Sequence, residues 1–305
     1  MVTEVELILA GAVRLATPVA LAALGEAVVE RSGTINLGIE GTMLAGALAG
    51  AYGASQAGWG AGIALAVAVG GFLGLVTALA TLWGRANQLV VGLSVTLIAT
   101  GAATYLYELW RPTGTAAPEI PLAPTVHVPI LREIPLVGPA LFEQSVFSYA
   151  MVALAVGLAW TLRRTGAGLA LRAAGDDPAR AALRGVRVRA TRTAALALGG
   201  ALAALGGAVI TVGYLGSFDV NVTAGRGYVA LAAVIIGRWS PWGALAGAGV
   251  FALFDSVAIQ SGDTEIVPVE VLTALPYLVT LAALIVVARG GRAPRALGRA
   301  LPDDA

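Results

Sequence analysis

The chain has 305 residues, of which 58% are hydrophobic and only 12% are charged, and its formal net charge at pH 7 is +1. A soluble domain carries about 25% charged residues, so this composition excludes a water-soluble globular protein and indicates a chain surrounded largely by lipid. The chain has no cysteine and no lysine, which excludes disulfide bonds, thiolate metal sites and the lysine of a nucleotide-binding phosphate loop.

Apolar segments close to the roughly 20 residues needed to cross a bilayer recur along the whole chain. The sequence therefore predicts an all-α fold, a polytopic transmembrane bundle that forms one domain over residues 1–305. Nine spans are expected, at about 7–29, 35–54, 60–83, 88–107, 145–162, 194–215, 225–237, 243–258 and 268–288.

The arginines predict how these spans are oriented, because positive charge beside membrane segments stays cytoplasmic. Eight arginines lie in the 163–192 loop and four more follow the last apolar run, so both regions are expected in the cytoplasm. Nine spans then place the N-terminus outside, together with the proline-rich 108–144 segment, which is expected to be an irregular loop. The opening residues lack a basic leader and a small-residue cleavage site, so we interpret them as a first span.

Two of the predicted spans are interrupted by glycine or proline. The first runs from Gly33 to Gly53 and the second from Thr223 to Gly249. Short, glycine-interrupted segments in both halves of a chain predict broken half helices that line a binding site near the middle of the membrane. In both halves a short glycine-rich segment is followed by a longer apolar one, and this common order suggests an inverted repeat. In the third span, Gly70, Gly71 and Gly74 are interpreted instead as small residues that let helices approach closely.

A first polar cluster lies where the first span ends and the second begins. It contains Glu26, Glu30, Arg31, Ser32, Asn36 and Glu40. Because burying such groups in lipid is costly, they must be paired or hydrated, and one interpretation is a Glu30–Arg31 cluster at the cytoplasmic interface. Asn36 and Glu40 are four residues apart within the apolar run, and we expect them on one face of a helix.

A second polar cluster precedes the other interrupted span. It contains Ser217, Asp219, Asn221, Thr223 and Arg226. One interpretation is an external turn in which Asp219 and Arg226 satisfy each other. The alternative is a re-entrant loop that presents hydroxyl groups, an amide and the donor end of a half helix to a neutral, hydroxylated solute.

The arginine-rich loop contains a helix-start signal. Asp176, Asp177 and Pro178 precede the helix-forming residues 179–183, so a short helix is expected to stand off the membrane. The plain alternative is a solvated connection, but this loop is also the largest cytoplasmic surface that the chain offers to a partner.

Other polar residues give little indication of chemistry. His127 is the only histidine and lacks a nearby second ligand, so no metal is expected. Arg14, within the first span, is interpreted as snorkelling or paired. The sequence contains no nucleophile elbow, paired histidines or carboxylate dyad, so an enzyme is not expected.

Three stretches carry a family resemblance. INLGIEG and its surroundings at 30–54, GDDPARAALRG within 168–186, and TAGRGY within 223–255 resemble the permease subunits of bacterial ABC importers. The similar group transports simple sugars and nucleosides and is related to the branched-chain amino acid and ribose permeases. The resemblance covers nearly the whole chain and implies a multi-pass permease of the bacterial cytoplasmic (inner) membrane.

The family resemblance also implies partners and site residues. A second, similar permease chain, two ATPase subunits that bind ATP and Mg²⁺, and an extracytoplasmic solute-binding protein are expected, with no cofactor held by this chain. The implied solute pathway contains Asn36, Glu40, Asn87, Gln88, Thr96, Asp219, Asn221, Thr223 and Arg226. Thr96 stands where the family often has asparagine.

The implied coupling helix, which would contact an ATPase, contains Arg172, Asp176, Asp177, Pro178, Arg180, Ala181 and Arg184. Residues 182–184 depart from the polar continuation usual in the family. The expected function is ATP-driven import of a small polar solute, a nucleoside by preference, through alternating access. Three alternatives remain: a permease for a simple sugar or other small solute, an ion-coupled carrier using Glu26, Glu40 and Asp255, and a passive channel or structural membrane subunit.

Overall fold

The computed structural model describes residues 4–111, 118–127, 138–261 and 293–301. Eleven helices and one two-stranded sheet occur in these residues. The helices are α1 (Glu4–Arg31), α2 (Ile39–Ala57), α3 (Trp59–Ala78), α4 (Gln88–Trp110), α5 (Gly138–Phe142), α6 (Val146–Arg164), α7 (Gly166–Asp176), α8 (Pro178–Leu183), α9 (Val188–Ala208), α10 (Arg226–Ile236) and α11 (Pro241–Ser261). The all-α prediction is confirmed.

Two of the helices continue as π-helical turns, α3 over Leu79–Trp83 and α9 over Val209–Leu215. The two strands, β1 (Thr125–His127) and β2 (Glu143–Ser145), pair antiparallel with Val126 opposite Gln144. The predicted irregular loop over 108–144 therefore contains a small hairpin-like pairing, and His127 contacts Glu143 across it at 3.3 Å.

Six of the described helices are long and apolar enough to cross a membrane. They cover Glu4–Arg31, Trp59–Trp83, Gln88–Trp110, Val146–Arg164, Val188–Leu215 and Pro241–Gln260. They coincide with six of the nine predicted spans, mostly extending them by a few residues. The two interrupted spans are the 19-residue α2 and the 11-residue α10. The predicted span at 268–288 lies outside the described residues.

The centre of the bundle is a pair of antiparallel helices, α1 and α9. Gly25 on α1 packs against Gly199 and Leu202, whereas Gly206 on α9 packs against the Pro18 carbonyl seven residues earlier on α1. Both helices are buried along much of their length, and the alanines and valines between them form the main hydrophobic core. Small side chains allow this close approach, because lipid offers no hydrophobic force that would press the helices together.

The two halves of the chain pack on this central pair in the same way. Helices α2 and α3 form a hairpin that packs on α9, and α10 and α11 form a hairpin that packs on α1. Since α1 and α9 run in opposite directions, the two hairpins enter the bundle from opposite ends. This packing supports the inverted repeat that the common order of segments in the two halves suggested.

The glycines of α3 behave largely as predicted. Side chains at Gly70 and Gly74 would overlap the backbone of α9 at Gly200 and Leu196, whereas Gly71 has only one atom of α9 nearby, at 3.9 Å. Gly70 and Gly74 are thus contact residues between α3 and α9, and Gly71 lies at the margin of that contact.

The arginine-rich side of the molecule, defined here as the end of the bundle that carries α7 and α8, is closed by a C-terminal strap, residues 293–301. Ala296 donates its amide hydrogen to the Gly175 carbonyl at 2.9 Å, and Gly298 donates to the Gly33 carbonyl at 3.2 Å. Leu301 packs against clusters that include Leu196, Ala174 and Ala181. The strap therefore links α7 and α8 to the loop that precedes α2.

Candidate functional site

Glu40, on the first turn of α2, meets the first turn of α10. Its carboxylate accepts hydrogen bonds from the Thr223 hydroxyl at 2.7 Å, the Gly225 amide at 2.9 Å and the Gly227 amide at 2.7 Å. The first amides of a helix have no partner within it, and the helix dipole adds a partial positive charge there. The carboxylate of α2 therefore supplies the N-terminal cap that α10 lacks in its own sequence, since its N-cap residue is Gly225.

This contact depends on two glycines. Gly225 adopts a left-handed backbone conformation with a φ of 81°, and a side-chain carbon at Gly227 would lie 2.7 Å from the Glu40 α-carbon. The TAGRG stretch thus allows α2 and α10 to begin against each other. We call this contact, formed by Glu40, Thr223, Gly225 and Gly227, the half-helix junction. It joins one residue of each predicted polar cluster.

The other predicted pathway residues of the first half hold the 32–38 loop in place. Asn36 accepts a hydrogen bond from the Gly38 amide at 3.1 Å, and Gln88 accepts one from the Ile35 amide at 2.9 Å. The Thr96 hydroxyl donates to the Leu37 carbonyl at 3.3 Å. Asn87 instead caps α4, accepting a hydrogen bond from the Leu89 amide at 2.9 Å, and it is exposed.

The expectation that Asn36 and Glu40 share a helical face is wrong. Helix α2 begins only at Ile39, so Asn36 belongs to the preceding loop. Its side chain closes a turn onto Gly38, and its own amide donates to the buried Glu26 carboxylate at 3.1 Å. An asparagine that bonds to the backbone two residues later favours a turn over a helix, which explains the later helix start.

The second polar cluster also differs from one of its interpretations. Asp219 accepts a hydrogen bond from the Asn221 amide at 2.8 Å, and both residues are exposed. Arg226 donates to the carbonyls of Val222 at 3.3 Å and Thr223 at 3.4 Å. Asp219 and Arg226 therefore do not satisfy each other, because Asp219 shapes its own turn and Arg226 points back onto the residues before α10.

The structure identifies one residue that sequence analysis missed, Trp239. Its indole nitrogen donates a hydrogen bond to the Glu30 carboxylate, and its carbonyl accepts one from the Arg31 guanidinium at 2.8 Å. Glu30 and Arg31 thus bind a common residue from the turn between α10 and α11 instead of forming the proposed pair. The RWSPW stretch could have pointed to Trp239, because its proline predicts a break between two helices and therefore a turn near polar groups.

The predicted short helix of the arginine-rich loop is confirmed as α8. Asp177 accepts a hydrogen bond from the Arg180 amide at 3.0 Å, Pro178 occupies the first helical position, and the Arg180 guanidinium returns to Asp177 at 3.1 Å. Helix α7 precedes it, ending at Asp176 and carrying Arg172, whose Nε donates to the Gly168 carbonyl at 3.3 Å.

The two faces of α8 differ sharply. Ala181 is only 4% exposed and packs against Ala174 and Val188, whereas Leu183 is 87% exposed. Arg180 and Arg184 are also exposed. Ala181 therefore fixes α8 to the rest of the chain, and Leu183 with the two arginines forms the surface that a partner can reach.

A fully buried arginine, Arg192, anchors α7 to α9. Its Nη2 donates to the Ala174 carbonyl at 3.0 Å and lies against Gly33, while its Nε and Nη1 have no partner in the described part of the chain. The loop before α2, the end of α7 and the start of α9 thus meet at one cation.

Within the described residues, no three histidine, cysteine, aspartate or glutamate side chains come together in a way that could hold a metal ion. The site consists of helix termini, amides and hydroxyls that meet inside a membrane-spanning bundle, the arrangement used by membrane transport proteins to bind a solute between broken helices. The chain belongs to a permease family described as "Branched-chain amino acid transport system / permease component", whose family profile matches residues 8–288.

Three relatives agree with this assignment. The chain is 31% identical to the nucleoside ABC transporter permease protein NupC of Lactococcus lactis, over 98% of this chain and 97% of the relative. It is 30% identical to the guanosine ABC transporter permease protein NupQ of Bacillus subtilis, over 93% and 92% of the two chains. It is also 32% identical to the putative glucose ABC transporter permease protein TsgC13 of Haloferax volcanii, over 89% and 88%.

No solved structure gives a significant match to the chain. The family assignment confirms the resemblance carried by the INLGIEG, GDDPARAALRG and TAGRGY stretches. The protein is a multi-pass permease subunit of the inner membrane, of the kind that works with an ATPase and a binding protein within an ABC transporter.

Proposed function

We infer that this chain is the permease subunit of an ATP-driven importer that moves a nucleoside across the membrane. The observation that carries this inference is the half-helix junction in a chain of the permease family, where Glu40 of α2 caps α10 beside Thr223. Two relatives aligned over more than nine-tenths of this chain are named as nucleoside or guanosine permeases, which favours a nucleoside as the solute.

The solute pathway is proposed to run along the half-helix junction and the loop before α2. Glu40 and Thr223 join the two hairpins, and Asn36, Gln88 and Thr96 position the loop. Asp219, Asn221 and Arg226 would lie toward the entrance on the opposite side from α7 and α8. Because the junction connects hairpins from opposite ends of the bundle, a relative movement of the hairpins would open the pathway to one side at a time.

ATP binding and hydrolysis are assigned to partner subunits, which would hold ATP and Mg²⁺. The exposed surface formed by Arg180, Leu183 and Arg184, together with the half-buried Asp177, is proposed to fit a groove of the ATPase. Buried Ala181, the C-terminal strap and Arg192 would transmit its movement to the loop before α2. On this proposal, the 163–192 loop and the C-terminus lie in the cytoplasm and the N-terminus lies outside.

The assembly is proposed to contain a second, similar permease chain, two ATPases and an extracytoplasmic solute-binding protein. A sugar permease is the second candidate, since the relative from Haloferax volcanii is named as a putative glucose permease and aligns over 89% of this chain. An ion-coupled carrier that used Glu40 would have to displace the three hydrogen bonds that occupy its carboxylate.

Uptake of labelled nucleosides and glucose into proteoliposomes tests the proposal. The vesicles hold this chain with its partner permease and ATPase, and Asp177→Arg is compared with Asp177→Asn. Asparagine caps a helix about as well as aspartate, so Asp177→Asn should retain uptake, whereas Asp177→Arg removes the cap of α8 and should abolish ATP-dependent uptake.

The same assay includes Glu40→Gln, which keeps the shape of the side chain but removes the charge that α10 requires. We expect it to lower nucleoside uptake severalfold while ATP hydrolysis by the assembled complex persists. Uptake without the ATPase would overturn the importer proposal, and ATP-dependent uptake of glucose alone would replace only the solute.

A further inference from the structure

A cavity of about 320 Å³ lies on the opposite side of the molecule from α7 and α8. Four parts of the chain enclose it: the first half of α1, the π-helical end of α9, the start of α10 and the end of α11. Its polar lining residues are Arg14, Tyr214, Arg226, Ser256 and Gln260.

Two guanidinium groups line the cavity, and few hydrogen bonds or negative charges offset their positive charge. Arg14 is exposed, and within the described residues it makes no hydrogen bond or ion pair. Arg226 has only the two long hydrogen bonds to the Val222 and Thr223 carbonyls. Asp255 is near enough to Arg226 for their charges to interact, but it does not line the cavity. In the part of the chain that the structure describes, two guanidinium groups thus line the cavity and no carboxylate does.

The depth of Arg14 makes this excess charge unusual. Arg14 is ten residues from the start of α1, about 15 Å along the helix axis at 1.5 Å per residue. Charged side chains within a membrane segment normally pair with an opposite charge or reach water. The cavity supplies a place where one anion could contact both arginines.

The neighbouring groups favour an oxyanion with several acceptor atoms. Guanidinium groups bind phosphate through paired hydrogen bonds. The amide of Gln260 can add a donor from α11, while the Tyr214 hydroxyl is already bonded to Ser148 at 3.2 Å. An isolated phosphate would leave most of the 320 Å³ unfilled, so the bound group has room for a substituent.

The rim of the cavity suggests what the substituent is. Leu215 and Ile259 line it and are 55% and 67% exposed. An acyl chain can lie on exposed leucine and isoleucine while its headgroup contacts the arginines. We propose that the cavity binds a phosphate oxyanion between Arg14 and Arg226, carried by the headgroup of an anionic phospholipid. This site shares Arg226 with the proposed entrance of the nucleoside pathway, and the binding of a lipid there goes beyond the proposed function.

The test measures lipid retention by the purified chain after exchange into nanodiscs. The discs contain phosphatidylcholine, whose phosphate is offset by its own choline, with or without phosphatidylglycerol. Native mass spectrometry counts the retained lipids for the wild type, Arg14→Gln, Arg14→Gln/Arg226→Gln and the control Arg163→Gln, which changes an exposed arginine on α6 at the other end of the bundle. Circular dichroism checks that each variant keeps its helices.

We expect the wild type and Arg163→Gln to retain phosphatidylglycerol over phosphatidylcholine by about tenfold, and the double variant to lose this preference. Arg14→Gln alone should lower it, and this variant removes no hydrogen bond or ion pair within the described chain. Equal retention by the wild type and the double variant would overturn lipid binding at this site.

A second arm adds inorganic phosphate to discs that contain only phosphatidylcholine. A rise in the thermal midpoint of the wild type that the double variant lacks, without any preference for phosphatidylglycerol, would identify a free phosphate as the source of the oxyanion. A wild type that responds to neither probe would overturn the proposal.

Discussion

Two carboxylates on neighbouring segments are satisfied by the distant half of the sequence. Glu40 is held by the first amides of α10, and Glu30, which is 3% exposed, is held by the indole of Trp239. Buried charge is tolerated only when its hydrogen bonds are supplied. At the scale of single residues, these two carboxylates therefore join the first half of the chain to the second.

Trp239→Phe tests this connection. Phenylalanine keeps an aromatic ring, although a smaller one, and removes the donor to Glu30. This leaves a buried carboxylate without that bond and should cost about 1–3 kcal/mol of stability. The matched control is Trp242→Phe, since Trp242 is 46% exposed on α11. The measurement is the thermal midpoint from helical circular dichroism in nanodiscs. Equal midpoints for the two variants would show that the Glu30 contact contributes nothing.

Contacts between residues close in sequence could be predicted, but contacts between distant residues could not. The Asp177–Pro178 helix start could be predicted because capping depends on neighbours in sequence. The roles of Asn36, Gln88 and Thr96 could not, because each binds the backbone of the 32–38 loop at a distance set by tertiary packing. Their assignment to the solute pathway stays a prediction.

At the scale of elements, α9 organises the first half of the bundle through backbone contacts. A side chain at Gly207 would overlap the Met43 carbonyl of α2, and one at Gly46 would overlap Ala204 of α9. Helices without a hydrophobic force between them gain stability from such close packing. The small residues of α9 therefore fix where the hairpin of α2 and α3 sits, and with it the position of Glu40.

Gly207→Ala tests that packing against Gly101→Ala. Alanine is the better helix former, so at Gly101, where nothing lies within 4 Å, the change should be neutral or slightly stabilising. At Gly207 the same methyl group must push α2 away, with an expected loss of about 1–3 kcal/mol. Thermal unfolding of the two variants in one detergent makes the comparison. A Gly207→Ala protein as stable as Gly101→Ala would contradict the close contact between α9 and α2.

At the scale of the whole molecule, the orientation in the membrane follows from the charge bias and the proposed partner. Arginines concentrate around α7, α8 and the C-terminal strap, so these parts are expected in the cytoplasm. The turn that contains Ser217 is then expected on the outside, since α9 leads from the arginine-rich loop to that turn.

Single-cysteine labelling tests this orientation directly, because the chain has no cysteine that would give a background signal. Leu183→Cys and Ser217→Cys place a thiol at two exposed positions. In intact cells, a membrane-impermeant maleimide should label Ser217→Cys and spare Leu183→Cys until the membrane is opened. The reverse pattern would invert the topology and remove the proposed ATPase contact from the cytoplasm.

The membrane environment, the helical fold class and the short helix after Asp177 could be predicted from the sequence, and so could the interruption between α10 and α11. These properties depend on composition, on local capping and on segment length, which are all written in neighbouring residues. The three stretches also carried the family resemblance, and the family profile and the nucleoside permease relative confirm it.

The pairing of the polar groups depends on tertiary packing and could not be predicted from neighbouring residues. Glu40 caps α10 across 183 to 187 positions of sequence, and Trp239 forms hydrogen bonds with both Glu30 and Arg31. Asp219 and Arg226 do not bind each other. These three results follow from the packing of two hairpins on α1 and α9. A hydrogen bond needs its donor and acceptor atoms within about 3 Å of each other. Small residues far apart in the chain set that distance here, because they allow the helices to approach closely.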